Sequence, residues 1–192
     1  MTLGALEKQR GIEMSEKPKI LFEGKYIRLV SFKNWEYAER KDCTGVVFIV
    51  AVTEDRKIVL CEQFRIPVGQ TIIEIPAGLV EDQPEFANES LEQAASRELF
   101  EETGYEAGSM KLLFKGPAAP GSSSAIIHFY RAIDIRKTGP GGGDETENIV
   151  VHEVPLETAD KWLQQMEAKG KLIDPKVFSA LHLVQSQTFN QF

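Results

Sequence analysis

The chain has 192 residues, 42% of them hydrophobic and 27% charged, enough for one globular domain with a sizeable core. A net charge of −7 argues against a nucleic-acid or anionic-membrane surface, which would need clustered Lys and Arg. Cys43 and Cys61 are too few for a disulfide framework or a zinc site, and both are expected to be reduced, in a cytoplasmic protein. No apolar run approaches the roughly 20 residues that span a bilayer. Glu7, Lys8 and Arg10, with no apolar stretch behind them, do not make a secretory signal.

Residues 1 to 18 are polar and read as a leader. Short strands follow, from Ile20 to Glu23, Tyr26 to Phe32 and Trp35 to Arg40, punctuated by Gly24-Lys25 and Lys33-Asn34. An alternating strand such as Trp35-Glu-Tyr-Ala-Glu-Arg40 is most often a packed face, but an exposed indole also stacks on a purine base. The β-branched runs Val46 to Val52 and Lys57 to Arg65 read as a hairpin closed by residues 53 to 56. Arg65 is either an ordinary surface arginine or a fork that grips a diphosphate bidentately.

Residues 90 to 104 read as a helix. Ser90 followed by Gln93 is a capping box, and Gly104 suits the left-handed residue that ends a helix. At about 100° per residue, Leu91, Ala94, Ala95 and Leu99 form a core-facing stripe. Glu98 and Glu102 fall on that same side, where a carboxylate is costly unless paired. With Glu101 they crowd the helix end that prefers cations. Arg97 can pair with Glu101, which leaves Glu98 and Glu102 without a counter-charge. A solvated acidic helix end accounts for most such pairs; here the inward direction and the neighbouring Gly78 loop favour a hard divalent cation.

Strands are expected again at Met110 to Lys115, Ile126 to Ile133 and Ile149 to Val154. The run Gly139 to Glu147 is a glycine-rich, acidic excursion, either a linker or a lid that delivers a carboxylate. Two amphipathic helices begin at Leu156 and Pro175, with Trp162, Leu163 and Met166, then Phe178, Leu181 and Val184, on their packed sides. His128, His152 and His182 show no ligand pattern and are expected to be structural.

Gly78, Glu89, Arg97-Glu98-Leu99, Glu101-Glu102 and Gly104-Tyr105 together resemble the signature of the Nudix hydrolases. Glu74-Ile-Pro-Ala-Gly78 resembles the entry loop of that family, and the likeness covers roughly residues 20 to 190. Two features depart from it: ten residues, 79 to 88, replace the usual five before Glu89, and Tyr105 replaces an aliphatic residue. The longer loop leaves the role of Glu89 open.

The resemblance implies an α/β/α sandwich with a mixed central sheet over 46–192 and an antiparallel N-terminal sheet over 19–45. It also implies Mg²⁺, with Mn²⁺ as a substitute, held by Glu98, Glu101, Glu102 and the Ala77 carbonyl. Arg97 would anchor Glu101. Trp35, Glu36, Arg40, Arg65 and Pro120 are similar to the substrate-binding positions of the ADP-ribose pyrophosphatase branch, in which the N-terminal sheet is exchanged within a homodimer. Glu145, with Glu147 in reserve, would activate water. The implied reaction is cleavage of ADP-ribose to AMP and ribose 5-phosphate. GDP-mannose, dinucleoside polyphosphates, NADH, RNA 5′ ends, or a non-catalytic sensor are the alternatives.

Overall fold

A computed structural model describes residues 17–81, 86–143 and 147–186. Strands β1 (Lys19–Glu23), β2 (Ile27–Phe32) and β3 (Trp35–Arg40) form an antiparallel sheet. A second sheet runs β7-β4-β10-β9, built from β4 (Gly45–Val50), β7 (Ala77–Val80), β9 (Ser109–Pro117) and β10 (Ile126–Ile133). A third runs β12-β5-β6-β13, from β5 (Lys57–Arg65), β6 (Gln70–Glu74), β12 (Val150–Pro155) and β13 (Leu172–Ile173). Each of these two holds one parallel pair, β4 with β10 and β6 with β13. A small ribbon pairs β8 (Tyr105–Glu106) with β11 (Arg136–Lys137). The helices are α1 (Leu91–Thr103), α2 (Ala159–Ala168) and α3 (Pro175–Gln185).

Alternation along the strands splits the core into two layers. On β4, Val47 and Ile49 pack with Ala94, Ala95 and Leu99 of α1, whereas Phe48 and Val50 pack with Leu163 and Met166 of α2 and Ala180 and Leu181 of α3. Strand β5 does the same, sending Val59 to the α1 side and Ile58 and Leu60 to the other. Fully burying one such side chain is worth about 1.5–3 kcal/mol, so the layers commit each strand to one register. The result is the expected α/β sandwich, helices on both faces, with its N-terminal antiparallel sheet.

Three expectations need correction. The turn at residues 53–56 closes through Thr53 N–H to Lys57 O (2.9 Å) and Val59 N–H to Ala51 O (3.0 Å) around a Val52–Ile58 bridge, but β4 and β5 then diverge into different sheets. β-branched runs mark strands without naming their partners. Phe178 is 49% exposed, because α3 buries Val177, Ala180, Leu181 and Val184, a stripe turned away from it. The chain enters α2 through a 3-10 turn, Leu156–Thr158, so the α-helix starts at Ala159.

Candidate functional site

Helix α1 begins and ends as its local chemistry dictates. Ser90 Oγ accepts from Gln93 N–H at 3.1 Å, Gln93 Oε1 accepts from Ser90 N–H at 2.8 Å, and Gly104 has φ 74°. Between the caps, α1 lies on β4 and β7 with its acidic last turns against the sheet layer. Glu102 is 3% exposed. Its Oε2 accepts from Ala77 N–H at 3.0 Å and from the Cys61 thiol at 3.6 Å. Burial pushes the Glu102 carboxyl up to about 8; the Ala77 N–H opposes this, and the charges of Glu98 and Glu147 add to it. Burial likewise raises the Cys61 thiol, so it sits there as the neutral donor.

Arg97 is the hub beside it. Its Nε and Nη2 hold both oxygens of Glu89 (2.9 and 3.1 Å), Nη1 donates to Glu98 (2.8 Å) and Glu101 (3.0 Å), and Nη2 also donates to the Leu79 carbonyl (3.1 Å). All five N–H donors of the guanidinium are thereby used. The Phe86 ring covers one face, with Cζ 4.0 Å from its centroid. This corrects the expectation that Glu98 lacks a counter-charge, since one guanidinium nitrogen reaches neighbouring side chains at i+1 and i+4. It also gives Glu89 a place, as the carboxylate that fixes Arg97 despite the lengthened loop. Glu98 lies flat against β7: a Cβ on Gly78 would come 1.8 Å from its Cδ. Only glycine leaves room for that carboxylate.

Strand β5 supplies a face that the sequence did not advertise. Cys61, Gln63 and Arg65, two apart, point the same way, and each meets a carboxylate. Cys61 meets Glu102, Gln63 Nε2 donates to Glu147 Oε1 at 3.4 Å, and Arg65 Nε donates to Glu74 Oε2 at 2.7 Å. Arg65 is also close enough to feel the charges of Glu102 and Glu147. Glu74 on β6 and Gln63 lie in runs that the resemblance covers, but it assigns no role to either; strand alternation toward α1 is what places Gln63 on this face.

Residues 138–143 are docked on the end of α1. Gly142 and Gly143 N–H groups donate to the Glu102 and Glu101 carbonyls (2.8 and 3.0 Å), and Thr138 and Gly139 N–H groups donate to Gly104 O. Gly141, at φ 67°, lies where a Cβ would sit 2.4 Å from the Thr103 carbonyl carbon. The run therefore caps orphan carbonyls of α1 and brings Glu147 beside Gln63. Glu145 lies outside the described residues.

The remaining candidates sit on a different part of the fold. Trp35 is 61% exposed, and Glu36 and Arg40 are exposed on the same strand, β3. The loop that carries Pro120 is hydrogen-bonded to this strand, Ala38 N–H to Ser122 O (2.8 Å) and Ser124 N–H to Ala38 O (3.1 Å). The geometry thus makes two groups: Arg97, Glu98, Glu101, Glu102, Ala77, Arg65 and Glu147 around α1, and Trp35, Glu36, Arg40 and Pro120 around β3. The histidines sit apart from the first: His152 Nε2 lies 2.8 Å from Glu62, His182 lies on α3, and His128 Nδ1 is buried with no hydrogen-bond partner among the described residues.

The donor set around α1 suits a hard divalent cation: carboxylate oxygens, a backbone oxygen on β7, and a buried carboxyl whose proton a cation would displace. Among the described residues no three His, Cys, Asp or Glu side chains converge on one point, and Arg97 draws Glu98 and Glu101 toward itself.

Residues 44–178 match the NUDIX domain family. The chain is 34% identical over 182 residues to the methanol dehydrogenase activator of Bacillus methanolicus, covering 91% of this chain and 94% of that one. It is 34% identical over 174 residues to the ADP-ribose pyrophosphatase of Bacillus subtilis (strain 168), covering 86% and 88%. To the GDP-mannose pyrophosphatase of Escherichia coli (strain K12) it is 32% identical over 151 residues, covering 74% and 73%. Among solved structures, a crystal structure of an ADP compounds hydrolase superposes with a TM-score of 0.65 at 25% identity, covering 94% of this chain and 98% of that one.

Proposed function

This chain belongs to the NUDIX domain family and is a pyrophosphohydrolase, and from that premise we propose that it hydrolyses nucleoside diphosphate sugars, ADP-ribose foremost, to AMP and ribose 5-phosphate with Mg²⁺. The observation that carries the reading is the buried Glu102 carboxyl, set with Glu98 on one helix end beside the Arg65 guanidinium. An acid held at that cost suits a site that takes a cation against a polyanionic substrate. The likeness to ADP-ribose pyrophosphatase and to an ADP compounds hydrolase supports the adenine nucleotide. The likeness to GDP-mannose pyrophosphatase favours a second reading, the same bond cleaved in a substrate of different base and sugar.

Glu98, Glu101, Glu102 and the Ala77 carbonyl would hold Mg²⁺, or Mn²⁺ in its place. When bound, the cation offsets charge that develops on the non-bridging phosphate oxygens. Arg97 keeps Glu98 and Glu101 oriented through the bonds described above. Arg65 presents its planar fork to the diphosphate. A carboxylate of the glycine-rich segment, Glu147 or Glu145, takes a proton from the attacking water. The water oxygen bonds to one phosphorus while that phosphorus releases the bridging oxygen, and the two phosphate monoesters leave.

Trp35 stacks on the base, with Glu36, Arg40 and Pro120 around the substrate. These residues act across a homodimer in this reading. Phe22, Tyr26 and Trp35 of the N-terminal sheet are 67%, 65% and 61% exposed, an apolar surface that a second copy would cover. Among the described residues no helix is long and apolar enough to cross a membrane. A cytoplasmic location, with a nucleotide sugar and no nucleic acid as partner, completes the proposal.

The test is Mg²⁺-dependent release of AMP from ADP-ribose, run beside GDP-mannose, NADH and dinucleoside polyphosphates. Hydrolysis of none of the nucleotide sugars would overturn the reading. Sedimentation of the chain as a monomer at assay concentrations would remove the dimer.

A further inference from the structure

We infer that Cys61 is a positioning residue for Glu102: its thiol helps to pin one oxygen of that carboxylate, which leaves the other to bind the divalent cation. The inference rests on the reading of Glu102 as a metal ligand. Both hydrogen bonds to the Glu102 side chain end on one atom, Oε2, from the Cys61 thiol at 3.6 Å and the Ala77 N–H at 3.0 Å. Among the described residues nothing donates to Oε1. The last torsion of a glutamate is broad and roughly two-fold, so a single donor lets the carboxylate plane rock. Two donors arriving from different directions hold it.

Those donors belong to different sheets. Cys61 lies within β5, paired with Val151 of β12 on one side and with Glu74 of β6 on the other, and is 3% exposed. Ala77 opens β7, opposite Phe48 of β4. Glu102 on α1 is thus triangulated against both sheets, and the residue whose amide holds it is the one whose carbonyl would ligate the same cation. The thiol is a weak, neutral donor. It fixes the carboxylate without cancelling its charge, whereas a Lys or Arg at this position would compete with the cation as a counter-ion. A ligating carboxylate that is itself hydrogen-bonded meets the metal already oriented.

The experiment titrates Mn²⁺ into the full chain at one fixed pH and reads the free ion by electron paramagnetic resonance. It compares the wild type with Glu102→Gln, Cys61→Val, Cys61→Thr and Val59→Ala, and records Tm in EDTA for each. Valine removes the donor, and threonine returns one in the same β-branched shape. Val59, fully buried on the α1 side of the same strand, reports packing alone. Cys61→Val should weaken Mn²⁺ binding about tenfold or more, and Cys61→Thr should recover most of that loss. Val59→Ala should lower Tm and leave the affinity where it was. Wild-type affinity in Cys61→Val, or an equal loss in Cys61→Thr or Val59→Ala, overturns the positioning role. Wild-type affinity in Glu102→Gln overturns the ligand reading and this inference with it. The two failures are distinguishable, because a weakened Glu102→Gln beside an unchanged Cys61→Val strikes only the role of the thiol.

Discussion

Glu102→Gln should make the metal-free protein more stable at neutral pH, although it removes a group from the candidate active site. Glutamine has the same shape, and its Oε1 can accept the Ala77 N–H that Glu102 accepts at 3.0 Å. The wild-type carboxyl has its pKa raised from 4.5 to about 8 by burial. A raised acid means the folded state holds the proton more tightly than the unfolded state. Its contribution is therefore fully present below pH 4.5 and is lost as pH rises toward 8. At pH 7 the unfolded carboxyl sits 2.5 units above its pKa of 4.5, a cost to folding of about 3 kcal/mol at 1.36 kcal/mol per unit. At pH 5 the same cost is below about 1 kcal/mol.

For a chain of this length each kcal/mol moves Tm by about 2–4 °C. Thermal unfolding in EDTA should thus show the variant ahead by about 6–12 °C at pH 7 and by only about 2 °C at pH 5. The change between the two pH values is the readout, because any fixed cost of seating the amide nitrogen cancels. A gap that stays constant with pH would refute the argument that the carboxyl is desolvated. Mg²⁺ should raise the Tm of the wild type at pH 7 and leave that of the variant where it was, as binding to the folded state alone requires.

Arg97→Lys gives up the fork that serves Glu89, Glu98 and Glu101 together, so urea unfolding should show a loss of about 3 kcal/mol or more. Gly78→Ala drives a methyl into the Glu98 carboxylate, 1.8 Å away; Mn²⁺ titration should find binding weakened at least tenfold, and normal affinity would show that Glu98 is not a ligand. Gly141→Ala, with a Cβ 2.4 Å from Thr103, should lift the 139–143 segment from α1 and lower kcat while hydrogen exchange rises at the Gly142 and Gly143 amides. Trp35→Ala should raise KM for ADP-ribose about tenfold with kcat little changed, the signature of lost stacking on the base; an unchanged KM removes Trp35 from the substrate site.

The central helix could be read from the chain because its instructions are local. A capping box spans three residues, a glycine ends the last turn, and the side on which Glu98 and Glu102 fall follows from a fixed rotation per residue. The strands around it could be read for the same reason, as period-two apolar runs. Phe178 escaped because an eleven-residue helix carries more apolar residues than one stripe holds, and only packing selects among them. The divergence of β4 and β5 escaped because two β-branched runs joined by a turn look alike whether they pair or part.

What tertiary structure alone decided is the company that Glu102 keeps. Cys61, Gln63, Arg65 and Glu74 carry no spacing that relates them to residue 102 or 147. They meet there because β5 turns that face toward α1 and because the glycine run folds onto the helix end. Chemical identity and local conformation are written in neighbours a few residues apart. The burial that raises a carboxyl to about 8 exists only once distant segments have displaced the water around it.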